Sequence, residues 1–348
     1  MPSLADKWHS AILKNSLDLL RYEAGLRTEI IAMIMDLGRQ LVREIADSGL
    51  DTSRTDWQRS RLRELLNTAK DRIESEYGGI AGTHIKGLTG AAEVSATGLT
   101  ITLNGVAGAD LLQSIQWTPQ LLKALVDGTL IEGAPSADWW ARQAVDLQQA
   151  FADAMRQGML RGETLGQMTA RTRDLIDISA RNARSLVQTS ALAVNNAAQL
   201  ATYRANADVI ESLQWTATLD PHTCIECGLM DGTVWPLEEA HAMPPLHWGC
   251  RCVCVPITKT LDDLEMNAQD KELNRLLDEM APGTRASMGG QVSGDTTWKS
   301  WLGSQSKEVQ AEVLGPARLK LWESGKLSIS QLVDQQGNTL TLAELATR

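Results

Sequence analysis

All five cysteines of the chain, Cys224, Cys227, Cys250, Cys252 and Cys254, fall within residues 220–255, together with His222, His241 and His247. Two residues separate Cys224 from Cys227, and two separate His247 from Cys250. That spacing lets each tight turn present two soft donors to one ion, and two such turns complete the tetrahedron that zinc prefers. Between the pairs, Asp231-Gly232 and Pro244-Pro245 are turn signals. The pattern predicts a small β-rich lobe over residues 211–260, its ends clipped by a structural Zn2+ on Cys224, Cys227, His247 and Cys250.

The remaining thiols are placed by strand geometry. Residues 250–255 read as extended, which sets Cys250, Cys252 and Cys254 on one face. At roughly 3.3 Å per residue, Cys254 lies about 13 Å from Cys250, too far to share an ion. Cys252, roughly 7 Å away, joins only if the strand begins after a turn. Cys252 is therefore a reserve ligand and Cys254 a small packed hydrophobe. A disulfide between the two ends, a Cys224–Cys227 redox pair and unligated buried thiols are the competing readings. The redox pair lacks the βαβ surroundings such a motif requires. His222 and His241 are assigned to solvated turns.

Catalysis is a weaker fit. Asp220, Asp231, Glu238 and Glu239 are the carboxylates that a metal-dependent nuclease would use as general bases, and this is the main alternative function. Four soft ligands, however, leave no open coordination position, so the expectation is a protein that is not an enzyme. HExxH, phosphate-loop and GxSxG motifs are all absent from the sequence.

Around the Cys/His stretch the sequence is mostly helical in pattern, which predicts a mainly α, α+β chain. Residues 1–135 form an N-terminal helical region. Ile30, Ile34, Leu37, Leu41 and Ile45 recur at helical spacing. A second helix is expected to stop at Gly78-Gly79, a weaker one to cover 80–95, and a hairpin to turn at Asn104-Gly105 after Thr100–Leu103. Central helices occupy 136–210, with Trp140, Ala144, Leu147, Phe151 and Ala154 on one stripe, a short helix to about residue 174, and a long one over 178–204. Strands entering (211–219) and leaving (253–258) the lobe are expected to pair. Residues 261–296 read as a helix followed by a flexible linker from 283. Residues 297–348 form a short, Trp-rich helical unit, suited either to docking on another surface or to packing back on its own chain.

Composition narrows the partners. The net charge of −10 argues against broad DNA coating, which needs clustered Lys and Arg. Arg156, Arg161, Arg171, Arg173, Arg181 and Arg184 are either a local basic face or ordinary solvated surface. No apolar run approaches the ~20 residues of a membrane span, and the N-terminal residues lack a signal-peptide pattern. Synthesis in the cytoplasm and no membrane association are expected. Eleven Trp against three Tyr and one Phe point to half-buried contacts.

One resemblance is specific. Thr218-Leu219-Asp220 precedes Thr223-Cys224-x-x-Cys227; then come Asp231-Gly232-Thr233-Val234-Trp235-Pro236-Leu237 and Pro244-Pro245-Leu246-His247-x-x-Cys250-Arg251-Cys252. This run resembles the phage Mu F-like / SPP1 minor head protein family, over roughly residues 140–258. Trp248-Gly249, where many relatives have Pro-Asn, and the extra thiol Cys254 depart from the pattern without touching the four ligands. The resemblance implies a head-morphogenesis protein of a tailed bacteriophage, present in few copies and associated with the portal protein and the major capsid protein. It also implies a place in the virion, in the capsid near the portal vertex after assembly in the host cytoplasm, and contact with packaged viral DNA or a part in its ejection.

Overall fold

A computed structural model describes residues 4–50, 58–108, 110–239, 243–259, 284–334 and 337–347. Helices account for 67% of the described residues and the sheets are small and antiparallel, so the fold is mainly α, of α+β class. It divides into two compact units that interleave in sequence: one of Met1–Asp18, Glu93–Trp117 and Asn195–Arg348, the other of Leu19–Ala92 and Thr118–Val194. The sequence reading divided the chain into consecutive blocks instead. The interleaving arises because three long helices, α1 (Leu4–Asp47), α2 (Gln58–Ala107) and α5 (Leu165–Ala205), each contribute a stretch to both units.

The helical unit has an almost purely apolar core. Ile30, Ile34, Leu37, Leu41 and Ile45 of α1 are all fully buried, as their spacing predicts. They share a core with Ile73, Tyr77 and Ile80 of α2, with Trp140, Leu147, Phe151 and Met155 of α4 (Ser136–Arg161), and with Ile176, Leu186 and Val187 of α5. A Cβ on Gly38 would lie 2.9 Å from the Ile176 side chain, so glycine permits the close approach of α1 to α5. A short helix α3 (Pro119–Gly128), with Thr118 as its N-cap, leads into a two-residue hairpin of β1 (Leu130–Ile131) and β2 (Ala134–Pro135) before α4.

Three expectations about helix breaks are corrected. α2 runs through Gly78-Gly79, because Tyr77 and Ile80 on either side are buried and outweigh a helix penalty of about 1 kcal/mol per glycine. It also absorbs the expected hairpin at Thr100–Leu103. Ala92, Ala96, Leu99 and Leu103 form a buried helical stripe there, and Asn104 exchanges two hydrogen bonds of 2.8 Å with the backbone of Leu112 instead of turning. The third break, expected between residues 174 and 178, is absent, and α5 is continuous. In each case burial of one face overrides local β or turn preference.

The second unit holds the lobe. β3 (Ile210–Thr216) lies between β4 (Val234–Pro236) and β5 (Val253–Thr258), antiparallel to both, so the strands entering and leaving the lobe do pair. Part of the expected linker is ordered: β6 (Thr284–Ser287) and β7 (Gly290–Ser293) form a hairpin, bridged to the lobe at Leu219↔Ser287. The expected helix after Thr260 lies outside the described residues. Helices α7 (Trp298–Ser304), α8 (Lys307–Leu314), α9 (Pro316–Glu323) and α10 (Leu342–Ala346), with a 3-10 turn at Ile329–Leu332, build a core with the lobe's Leu219 and Ile225. Trp298 and Trp301 are buried in it, so these two tryptophans are packed within their own chain. Gly228 makes the joint possible: a Cβ there would sit 2.2 Å from the Trp298 ring.

Candidate metal centre

The first pair of donors is shaped by α6 (Ile225–Met230). Cys224 stands at its N-cap, where its sulfur accepts the Cys227 backbone N–H at 3.3 Å. This is the geometry that brings two thiols two residues apart to the same side of a turn. The second pair comes from an irregular segment, residues 243–252, that delivers His247, Cys250 and Cys252 before β5 begins at Val253.

Cys224 Sγ and Cys227 Sγ lie 3.2 and 3.3 Å from His247 Nε2, and Cys227 Sγ lies 3.8 Å from Cys250 Sγ. Of the four residues favoured from the spacing, Cys224, Cys227 and His247 come together, and Cys250 adjoins them through Cys227. Cys252 converges too: the donors form two triads, Cys224–Cys227–His247 and Cys227–Cys250–Cys252, each with all ligand atoms within 4.8 Å. Because the strand starts only at Val253, the condition for Cys252 to join is met. Cys254, opposite Trp215 in the β3–β5 register, is fully buried and belongs to neither triad. His222 is exposed on a turn, and His241 lies outside the described residues.

The electrostatics suit a cation. The neighbouring Cys227 thiol and then the His247 imidazole draw the Cys224 thiol down to about 5. Hydrogen bonds from Cys227 and Cys252 likewise hold Cys250 below the ordinary thiol range. Cys224 and Cys250 raise His247 to about 11, whereas burial pushes Cys254 up to about 12. Two thiolates facing an imidazolium is the protonation pattern of a soft-donor cluster competing for protons in place of a metal. The His247 ring is also oriented for ligation. Its Nδ1 lies 2.9 Å from the Trp248 carbonyl, an arrangement in which Nδ1–H donates and Nε2, whose proton a metal would displace, faces the sulfurs. All five cysteines are free thiols, so the structure contains no disulfide.

A set of backbone and ion-pair contacts holds the two knuckles together. Arg251, between Cys250 and Cys252, pairs with both carboxylate oxygens of Asp220. Thr218 Oγ1 donates to the Arg251 carbonyl at 3.2 Å. Asn196 of α5, 1% exposed, donates through Nδ2 to the carbonyls of Pro244 (2.8 Å) and Cys252 (3.4 Å). Behind α6, the Asp231 side chain accepts from the Ala217 and Trp298 backbones and from the buried Arg285 guanidinium. Asn196 and Arg285 carried no signal in the sequence reading. A polar residue on an alanine-rich helix and an arginine in a Gly/Ser-rich stretch look like solvent-facing positions until the tertiary contacts are known.

This arrangement bears on the carboxylates considered as general bases. Asp220 is committed to Arg251, and Asp231 to Arg285 and two backbone N–H groups. Of the six clustered arginines, Arg156 pairs with Asp153, and Arg161 and Arg171 pair with Glu163. Among the described residues no helix is long and apolar enough to cross a membrane.

Comparison with known proteins agrees with this geometry. Residues 149–255, from within α4 through all of α5 and the Cys/His lobe as far as the middle of β5, match the family model described as Phage Mu protein F like protein. Over this segment the chain is similar to the Mu F-like family. No curated protein and no solved structure matches the chain.

Proposed function

We propose that this chain is a minor head protein of a tailed bacteriophage, acting in head morphogenesis, and that its Cys/His lobe is a structural zinc clip. The observation that carries the reading is the coincidence of the Mu F-like match with a converged soft-donor cluster inside the matched segment. The residues fit the ion. Zinc–sulfur bonds of about 2.3 Å in a tetrahedron place sulfurs about 3.8 Å apart, and Cys227 Sγ and Cys250 Sγ are 3.8 Å apart. Cys224, Cys227, His247 and Cys250 would hold the ion, whose contribution is to cross-link the two knuckles and fix the β4–β3–β5 sheet against α6.

In this reading the protein associates with portal and major capsid proteins during procapsid assembly, is retained in the virion in few copies, and meets packaged DNA only locally. The family supports a head protein, and the net charge of −10 argues for restricted DNA contact. A non-enzymatic role is supported by the guanidinium partners of Asp220 and Asp231, which leave neither carboxylate available to activate water.

Three experiments test the proposal. Elemental analysis of purified protein should give one zinc per chain, with all five thiols reactive once the protein is denatured and chelated. Co-expression with portal and coat proteins should yield procapsids that carry the chain through sedimentation, and an empty procapsid fraction would sink the assembly role. Incubation with plasmid DNA and Mg2+ or Mn2+ should leave the DNA intact; nicking that disappears in Asp220→Ala would replace the structural reading with the nuclease.

A further inference from the structure

The centre offers five donors for the four positions of a tetrahedral ion, and the surplus has a definite geometry. The two triads share only Cys227: one is completed by Cys224 and His247, the other by Cys250 and Cys252. His247 stands with Cys224 and Cys227, and Cys252 with Cys227 and Cys250, so each is a candidate for the fourth position beside the shared Cys227 sulfur. We propose that Cys252 is a substitute ligand, so that loss of the His247 arm converts a three-sulfur, one-nitrogen centre into a four-sulfur centre instead of emptying it. This rests on the metal-clip reading and extends it.

The two competing arms are held differently. His247 sits in irregular backbone, its ring half buried, with the ring's Nδ1 contact going to the adjacent Trp248 carbonyl. The tie of this segment to α5 lies three residues earlier, where Asn196 Nδ2 donates to the Pro244 carbonyl at 2.8 Å. Cys252 is 2% exposed, and its backbone is fixed from two sides. Its carbonyl takes Asn196 Nδ2 of α5, and the preceding residue, Arg251, is bound through its carbonyl by Thr218 and through its guanidinium by Asp220. The lobe's framework therefore holds Cys252 through contacts at Cys252 and Arg251 that do not involve the His247 ring. Sulfur is also the softer donor, so zinc, cobalt and cadmium all accept the exchange. On ligation the Cys252 thiol releases its proton to solvent, and the complex gains one negative charge relative to imidazole ligation.

The test uses the full chain loaded with Co2+, whose visible absorption and sulfur-to-metal charge-transfer bands distinguish three sulfurs plus nitrogen from four sulfurs. Wild type and Cys252→Ala should each bind one cobalt with the three-sulfur, one-nitrogen spectrum. His247→Ala should also bind one, with stronger charge transfer and d–d bands at lower energy. In His247→Ala with Cys252→Ala together, affinity should fall below either single variant by more than the roughly 10–100-fold that loss of an outer-shell partner costs. Alkylation of native His247→Ala, read by mass spectrometry, should find Cys252 protected, with far-UV circular dichroism confirming that the variant is folded. A folded His247→Ala that binds no cobalt, or a double variant no worse than His247→Ala, would overturn the proposal. A four-sulfur spectrum in wild type would overturn the order of the two ligands and make His247 the bystander. Wild type that binds no metal under any of these conditions fails the clip itself, a result distinct from the others.

Discussion

The two compact units are stabilised by different chemistry. The helical unit excludes water with aliphatic and aromatic side chains, and the buried polar network around His84 is closed. Trp140 Nε1 donates to His84 Nδ1 at 2.8 Å, His84 Nε2 meets Ser190 Oγ at 3.0 Å, and Ser190 returns a hydrogen bond to the Leu186 carbonyl. The Cys/His unit relies on groups that are costly to bury alone: a cluster of thiols, the Asp231–Arg285 pair, and Asn196. A helical stripe can be assembled from propensity and burial, whereas a small three-stranded sheet with a six-residue helix cannot bury enough apolar area on its own. In the proposed reading the lobe makes up the deficit with a metal clip and with charge.

Removing the clip should break this comparison most strongly. Structural zinc sites contribute apparent free energies on the order of 10 kcal/mol to the folds they hold. Chelation, or Cys227→Ala, should open residues 210–258 to hydrogen exchange while amides of α1, α4 and the first half of α5 keep their protection. Loss of protection in both units together would mean that they fold as one. Next in size is the buried pair. Asp231→Ala leaves Arg285, whose side chain is 5% exposed, without its counter-ion, and should cost about 3–5 kcal/mol. The loss should appear as a lower denaturation midpoint of the Trp298-containing core.

Phe151→Ala addresses the other unit. It should cost about 3–5 kcal/mol there through cavity formation, with the metal content of the protein unchanged by elemental analysis. The smallest effect comes from pH. Burial lowers His84 from its ordinary value to about 3, and the network explains why it stays neutral: protonation would turn Nδ1 from an acceptor into a donor facing the Trp140 N–H. The unfolded chain binds this proton near pH 6.5 and the folded chain does not, so the contribution is complete above pH 6.5 and declines as pH falls towards 3. Acidification from pH 7 to 5 should therefore destabilise the helical unit by about 2 kcal/mol. His84→Gln should flatten that slope in exchange-monitored stability, and an unchanged slope would remove His84 as its source.

What the sequence made legible follows the same division. The stripe from Ile30 to Ile45 and the Trp140–Phe151 stripe could be read because a helix repeats its burial every three or four residues. The approach of Cys224, Cys227 and His247, with Cys250 beside Cys227, could be expected because a turn forces donors two residues apart to meet. Continuity of α2 was hidden because Thr100, Ile101 and Thr102 favour strands locally, and only burial of Leu99 and Leu103 reverses that preference. The hairpin over Thr284–Ser293 was hidden because its order comes from Arg285 reaching Asp231, 54 residues away. Cys252 lay between these cases: its inclusion depended on where one strand began, a boundary that local pattern places only to within a few residues.

The carboxylate of Glu226, between Cys224 and Cys227, accepts the backbone N–H of Thr339 across 113 residues of chain. At the ~5–20 residues per second of synthesis, that separation is a delay on the order of ten seconds. The five sulfur and nitrogen donors leave the ribosome first, and the helices that cover α6 arrive only afterwards. An ion captured in that interval would serve as the fixed point on which the later segment is laid down, and scarcity of the ion during synthesis would leave Trp298 and Trp301 without a finished surface to close.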